Sequence, residues 1–292
     1  MNAMALLKEN EGILTDAPAG GYQQLKTYYD ARYKAGWFLM HGQPRPCFTK
    51  TLLQDIAEYF ADVRAEIAAG QHDKYSFLIL ASDVDGVFNL GGDLDQFAHA
   101  IEQGDHQSLM EYATMCVDVL HANMTHLDEQ LTTIALVKGD ALGGGFESAL
   151  SSNVLIAERG AKMGLPEVLF NLFPGMGAFS LLSRKVGTRL AEQMIMSGQL
   201  YDAETLYEMG VVDILAESGQ GELAVYRYMD AVNKHKVSHR AMAKVKDYCN
   251  PVSYQELIDV TKIWVDAALQ LTSRDLRMMK RLVQRQSARI AA

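Results

Sequence analysis

Two glutamates, Glu147 and Glu167, stand twenty residues apart in a segment that also carries three consecutive glycines, Gly143 to Gly145. From Leu131 to Phe170 it reads L-T-T-I-A-L-V-K-G-D-A-L-G-G-G-F-E-S-A-L-S-S-N-V-L-I-A-E-R-G-A-K-M-G-L-P-E-V-L-F. Glycines at the end of an apolar run let the backbone turn sharply and let a ligand approach main-chain N–H groups. Where the turn opens a helix, unpaired amides and the helix dipole favour negative charge. Two amides aimed at one carbonyl oxygen would hold an oxyanion, and carboxyls beside them would move protons. The chemistry expected is an enolate or a tetrahedral intermediate at a carbonyl such as that of a thioester. A second glycine pair ends another apolar run, in N-L-G-G-D-L from Asn89 to Leu94.

Each feature also has an ordinary explanation. Three glycines before a helix can be a tight turn, Glu147 a first-turn acid favoured by the helix dipole, and Glu167 a turn residue. The conjunction of both glycine sites with both acids is what points to a site. A dinucleotide fingerprint fails, because Ser148 takes the third glycine position of G-x-G-x-x-G counted from Gly143. No G-K-S/T follows, which excludes a P-loop.

The elements that must position these residues are also readable. Tyr75 to Ala81, Ile134 to Val137 and Val154 to Ala157 are continuous apolar runs, as buried strands should be. Tyr28 to Met40 reads as one or two strands. Helical spacing marks Leu52 to Ala69, Leu94 to Ile101 and Leu109 to Leu127, the last with a stripe of Leu109, Tyr112, Cys116, Val119 and Leu120. Strands alternating with helices predict an α/β fold with much parallel pairing. The expected organisation is a loose N-terminal segment over 1–22, a catalytic core over 23–218 and an all-helical subdomain over 219–292.

Composition narrows the function. The chain's 292 residues suffice for one large domain, with or without an appendage, and 49% hydrophobic against 22% charged residues is a soluble globular balance. A net charge of −9 offers no basic field for nucleic acid or an anionic membrane. No apolar run approaches the ~18 residues that span a bilayer. The start, MNAMALLKENEG, has no basic n-region or long h-region, so no signal peptide is expected. Cys47, Cys116 and Cys249 are odd in number and widely spaced, which suits reduced cytoplasmic thiols and neither a disulfide framework nor zinc. His235 and His239 share helical spacing without an acidic ligand, so no metal is expected.

Taken together, these motifs resemble the crotonase (enoyl-CoA hydratase/isomerase) superfamily. There a G-G-D-L/I segment gives one oxyanion N–H and a G-G-G-x-E segment the other, which implies Gly92 and Gly144 as donors. Its hydratases carry two catalytic glutamates at this spacing, which implies Glu147 and Glu167. Y-D-A-E-T-L-Y-E-M-G-V-V-D, Tyr201 to Asp213, matches a later signature. The implied fold is a repeated ββα spiral core with a helical C-terminal subdomain, assembled as a homotrimer or a hexamer.

Within the superfamily, F-N-L-G-G-D-L, G-D-A-L-G-G-G-F-E-S-A-L-S, M-G-L-P-E-V-L-F-N-L-F-P-G-M-G-A, I-W-V-D-A-A-L-Q-L and R-P-C-F-T-K are similar to the diffusible signal factor synthases of bacterial quorum sensing. This resemblance implies a bifunctional enzyme. It would dehydrate a 3-hydroxyacyl thioester on acyl carrier protein to the cis-2-enoyl form, then hydrolyse the thioester to release a cis-2-unsaturated fatty acid. As a working assignment Glu167 takes the α-proton and Glu147 protonates the departing hydroxyl, although sequence does not fix which glutamate serves which step. Leu142, Phe146, Leu169, Phe170, Met176 and Trp264 are the expected lining of an acyl pocket. No cofactor is expected beyond the phosphopantetheine of carrier protein or CoA that carries the substrate. A stripe of Arg274, Arg277, Arg281, Arg285 and Arg289 could dock that group or an acidic carrier, a solvated face being the alternative. Two other functions compete. One is a plain enoyl-CoA hydratase or isomerase that leaves its product on CoA. The other is a crotonase-fold protein that acts mainly by binding a sensor kinase.

Overall fold

The computed structural model describes residues 14–16, 21–42 and 45–290, with side chains described for 21–42 and 45–284. Its strands are β1 (Leu14–Asp16), β2 (Leu25–Asp30), β3 (Ala35–Met40), β4 (Phe77–Ser82), β5 (Val87–Asn89), β6 (Thr132–Val137), β7 (Asp140–Leu142), β8 (Val154–Glu158), β9 (Lys162–Gly164), β10 (Leu200–Asp202) and β11 (Ile214–Ala216). Its helices are α1 (Lys50–Ala68), α2 (Leu94–Glu102), α3 (His106–Met124), α4 (Gly144–Leu150), α5 (Ala178–Val186), α6 (Thr188–Ser197), α7 (Ala203–Glu208), α8 (Gly221–Lys234), α9 (Lys236–Cys249), α10 (Tyr254–Ala268) and α11 (Ser273–Ile290).

A strand–strand–helix unit recurs along the chain. β4 and β5 lead into α2 and α3, β6 and β7 into α4, and β8 and β9 into a short 3₁₀ turn, Pro166–Phe170, and then α5. The first strand of each unit enters a seven-stranded sheet of order β1-β2-β3-β4-β6-β8-β11. The second enters a four-stranded sheet of order β10-β9-β7-β5. The neighbours β4–β6, β6–β8, β5–β7 and β7–β9 are all parallel. The ends of β5 and β7 thereby come side by side, each followed by its glycines.

The apolar runs of β4, β6 and β8 are buried because both sheet faces are covered. Ile79, Ile134 and Ile156 pack with Val225 and Met229 of α8. Leu80, Ala135 and Leu155 join the main core, which also holds Leu53 of α1 and Leu120 of α3. Full burial of each such leucine or isoleucine contributes about 1.5–3 kcal/mol.

Of three segments, the first takes the two-strand form of its reading and the other two differ from theirs. Tyr28 to Met40 splits into the hairpin β2–β3, because Asp30 Oδ1 accepts Arg32 N at 2.9 Å and Tyr33 N at 3.1 Å and Lys34 closes the turn at φ +55°. The helix expected to reach Leu127 stops at Met124, since His126, Leu127 and Asp128 take φ of +50°, +58° and +59°. Within the segment expected to be loose, Leu14–Asp16 pairs antiparallel with β2 and Tyr22 donates to Asp62 Oδ2 at 2.6 Å; 1–13 and 17–20 lie outside the described residues. After Gly221 the described chain is helical, with α10 packed on α3 and α11 on α2. No helix among the described residues is long and apolar enough to cross a membrane.

Candidate active site

Two glycine turns from different units meet at the start of α4. Gly143 (φ +53°, ψ −125°) swings the chain from β7 into α4. Its N–H donates to Gly164 O at 2.9 Å, and its own carbonyl accepts Phe146 N at 2.8 Å and Glu147 N at 3.0 Å. These bonds leave the Gly144 N–H without a partner among the described residues. In the other turn, Asn89 Oδ1 accepts Gly91 N at 2.8 Å, and Phe48 N donates to Gly91 O at 2.8 Å. The Tyr112 hydroxyl accepts Asp93 N at 3.2 Å and donates to Phe48 O. The Gly92 N–H is not used in holding this loop either. A Cβ built on Gly91 (φ +95°) would stand 3.2 Å from Gly144 N, and one on Gly144 would stand 3.5 Å from Gly92 N. The two amides are thus neighbours, and a side chain at Gly91 would intrude between them.

Glu147 sits in the first turn of α4 and is 1% exposed. Its Oε1 accepts Met176 N at 3.0 Å and Ala178 N at 2.9 Å, from the start of α5. Burial pushes its pKa up to about 7, while the N–H groups of Ala178, Met176 and Gly177 pull it down. Glu167 lies in the 3₁₀ turn and is half-buried as a residue. Its Oε2 is buried and has no hydrogen-bond partner among the described residues. Burial first, and then repulsion from Glu147, raise it to about 8. Two raised carboxyls, one of them raising the other, together hold a single proton near neutral pH. Hydrogen bonds to Glu147 favour its ionised form, so that proton rests mainly on Glu167.

Both glutamates, Gly92 and Gly144 border one cavity of about 360 Å³. Of the residues expected to line an acyl pocket, Leu142, Leu169, Phe170, Met176 and Trp264 border this cavity, Leu169 at 52% exposure. Phe146 does not, and is a correction. It is 0% exposed and belongs to the main core. It precedes Glu147 on α4, so it points about 100° away from the cavity-facing side. The α3 stripe of Tyr112, Cys116, Val119 and Leu120 faces the cavity, as do Leu53, Ile56 and Phe60 of α1. Their helical periodicity was legible as a buried face, but periodicity does not separate core from pocket. Asn89 and Tyr112, which hold the Gly91–Gly92 turn, were missed as site residues. The available signal was an amide within the apolar run Phe88–Leu90.

Arg274, Arg277 and Arg281 are exposed on α11, whereas the side chains of Arg285 and Arg289 lie outside the described residues. His235 and His239 are exposed. No cluster of potential metal ligands occurs among the described residues.

Comparison with known proteins agrees with this architecture. The sequence model for the enoyl-CoA hydratase/isomerase family matches residues 43–274. Mitochondrial methylglutaconyl-CoA hydratase of Mus musculus is 34% identical over 156 residues, 53% of this chain and 47% of the relative. The fatty acid oxidation complex subunit alpha of Pseudomonas aeruginosa is 26% identical over 186 residues, 64% of this chain and 26% of the relative. The chain thus matches about half the length of the first relative and about a quarter of the second. Among solved structures, enoyl-CoA hydratase from Bacillus halodurans superposes with a TM-score of 0.73 at 19% identity, covering 89% of this chain and 100% of that one. Pseudomonas aeruginosa DspI gives 0.69 at 24% identity, covering 82% and 93%. The fold is crotonase-like, and the chain belongs to the enoyl-CoA hydratase/isomerase family.

Proposed function

We propose that this protein dehydrates a 3-hydroxyacyl thioester carried on acyl carrier protein and then hydrolyses the thioester, releasing a cis-2-unsaturated fatty acid signal. The observation that carries the reading is the meeting of the Gly92 and Gly144 amides with a carboxyl pair at the head of a largely apolar cavity. The segments similar to diffusible signal factor synthases supply the substrate class.

In the elimination, the thioester carbonyl oxygen accepts from Gly92 N–H and Gly144 N–H. The Glu167 carboxylate takes a proton from C2, and the electron pair moves to that oxygen as an enolate. The enolate collapses, the C3–O bond breaks, and the hydroxyl leaves as water with a proton from Glu147. This step runs from the tautomer with the proton on Glu147. The resting tautomer, with the proton on Glu167, is the one that adds water to an enoyl thioester. Both carboxyls are raised to similar values, so exchange between the tautomers costs little. In the hydrolysis, a glutamate carboxylate takes a proton from water, and the hydroxide adds to the carbonyl carbon. The same amides hold the tetrahedral oxyanion until the pantetheine thiol departs with that proton. Each amide donor is worth about 10²–10³ in rate.

A second reading, plain hydration of an enoyl-CoA, is favoured by the resting tautomer and by the hydratase relatives. Products formed from 3-hydroxydodecanoyl thioesters of carrier protein and of CoA separate the two. Free cis-2-dodecenoic acid supports the synthase. An equilibrium of hydroxyacyl and enoyl thioester, with nothing released, supports the hydratase.

A further inference from the structure

We propose that Thr261 of α10 is a positioning residue for Glu147, its hydroxyl fixing the peptide plane between Gly175 and Met176 whose N–H holds the carboxyl, an inference that rests on the acid–base role given to Glu147 above. The loop concerned runs Pro174-Gly175-Met176-Gly177 into Ala178, the first residue of α5. Met176 N donates to Glu147 Oε1 at 3.0 Å and Ala178 N at 2.9 Å. Glycines flank Met176 on both sides, and Gly177 takes φ +136°. Glycine has little conformational preference of its own, so the peptide planes of this loop must be fixed from outside.

Thr261 supplies that restraint. Its Oγ1 donates to Gly175 O at 3.1 Å, and the residue is 0% exposed. A peptide unit is planar and trans, so the Gly175 carbonyl and the Met176 N–H share one plane and point in opposite directions. The Thr261 hydroxyl holds one edge of that plane, and the other edge faces Glu147 Oε1. A bond at the carbonyl also polarises the N–H and strengthens what it donates, by about 10–30%. α10 lies directly against this peptide: a Cβ built on Gly175 would stand 2.2 Å from Cγ of Trp264. Thr261 and Trp264 are three residues apart and so share a helix face. The buried residues of α10 are Leu257, Thr261, Trp264, Val265 and Ala268, Thr261 being the polar one among them. A valine has nearly the same shape as threonine, so what the hydroxyl adds to this face is the bond to Gly175 O.

Thr261→Val keeps the shape and removes the bond. The Met176 N–H should then hold Glu147 less well. Because the loop amides pull Glu147 down against its burial, its titration should move up, by about half to one pH unit. The Glu147 charge bears on Glu167 in the 3₁₀ turn and on Cys116 of α3. The titration is therefore read in a Glu167→Gln background by carbon-13 NMR of labelled glutamate, the Glu147 signal being the one lost in Glu147→Gln. With Glu167 intact, Thr261→Val should lower kcat about 2–10-fold on a 3-hydroxydodecanoyl thioester and leave KM nearly unchanged. Thr261→Ser restores the hydroxyl and should restore both the titration and kcat. Thr261→Ala makes the same test if the valine variant does not fold, with circular dichroism as the folding check. An unmoved Glu147 titration in a folded variant overturns the proposal, as does an equal change in the valine and serine variants, which would trace the effect to packing. If the titration moves as stated but folded wild-type protein turns over no thioester, the positioning of Glu147 stands and the acid–base reading falls.

Discussion

A methyl group built on Gly143 would stand 2.4 Å from Oε1 of Glu167. The glycine that turns β7 into α4, and so frees the Gly144 amide, is also the residue that leaves room for the second carboxylate. Oxyanion donor and proton carrier are coupled through one backbone position. Gly143→Ala should therefore move Glu167 as well as strain a backbone at φ +53°. Loss of placement on the scale of 1 Å costs about 10²-fold in rate, so kcat should fall by that order while circular dichroism keeps its wild-type shape. Steady-state kinetics of the alanine variant checks this.

Activity should show a bell-shaped dependence on pH. The working state holds one proton on the pair, and the two carboxyls are raised to about 7 and about 8. Below this window both are protonated and the base is lost; above it both are ionised and the acid is lost. Repulsion from Glu147 is the second cause of the rise at Glu167. In Glu147→Gln the Glu167 titration should consequently move down, followed by carbon-13 NMR of labelled glutamate.

The carboxyl pair lowers the stability of the fold above acidic pH. Folded Glu147 keeps its proton up to about pH 7, whereas an ordinary glutamate loses it near 4.5. Between these values the folded state binds more protons than the unfolded chain, so stability falls as pH rises through the window and is level beyond it. Glu147→Gln retains an amide oxygen for Met176 N and Ala178 N without the charge. It should be more stable than wild type at pH 8, by on the order of 3 kcal/mol, and should differ little near pH 4. Urea unfolding at the two pH values checks the sign.

Tyr112 is a positioning residue for the Gly92 amide. Its hydroxyl ties Asp93 N to Phe48 O, and its ring meets Phe97 edge-on at 5.0 Å. Tyr112→Phe keeps the ring and removes the tie. Stability should fall by about 0.5–1.5 kcal/mol. Beyond that structural effect, kcat should fall with KM nearly unchanged, because the amide acts most strongly on the developing oxyanion.

The parts of this site legible in the sequence were those with a local signature. Apolar runs marked β4, β6 and β8, and the glycines with their following acids marked the two turns and the glutamate pair. Phe146 was misplaced because a hydrophobic residue beside Glu147 looks the same whether it faces a pocket or the core; only the rotation of α4 decides. The end of α3 was misjudged because Leu127 continues the apolar spacing, while three successive residues at positive φ break the helix. The Asn123 amide, which borders the cavity, gave no signal, since its partners Ser151 and Ser152 lie 28 and 29 residues away and meet it only where the end of α3 comes against the residues that follow α4.

The most direct measurement is mass spectrometry of the products from purified protein and 3-hydroxydodecanoyl carrier-protein thioester. The account predicts free cis-2-dodecenoic acid, lost in Glu147→Gln and in Glu167→Gln. An enoyl product that stays on its carrier would contradict the hydrolytic half. Unchanged substrate, with carrier-protein and CoA thioesters alike, would contradict the assignment of this site to thioester chemistry.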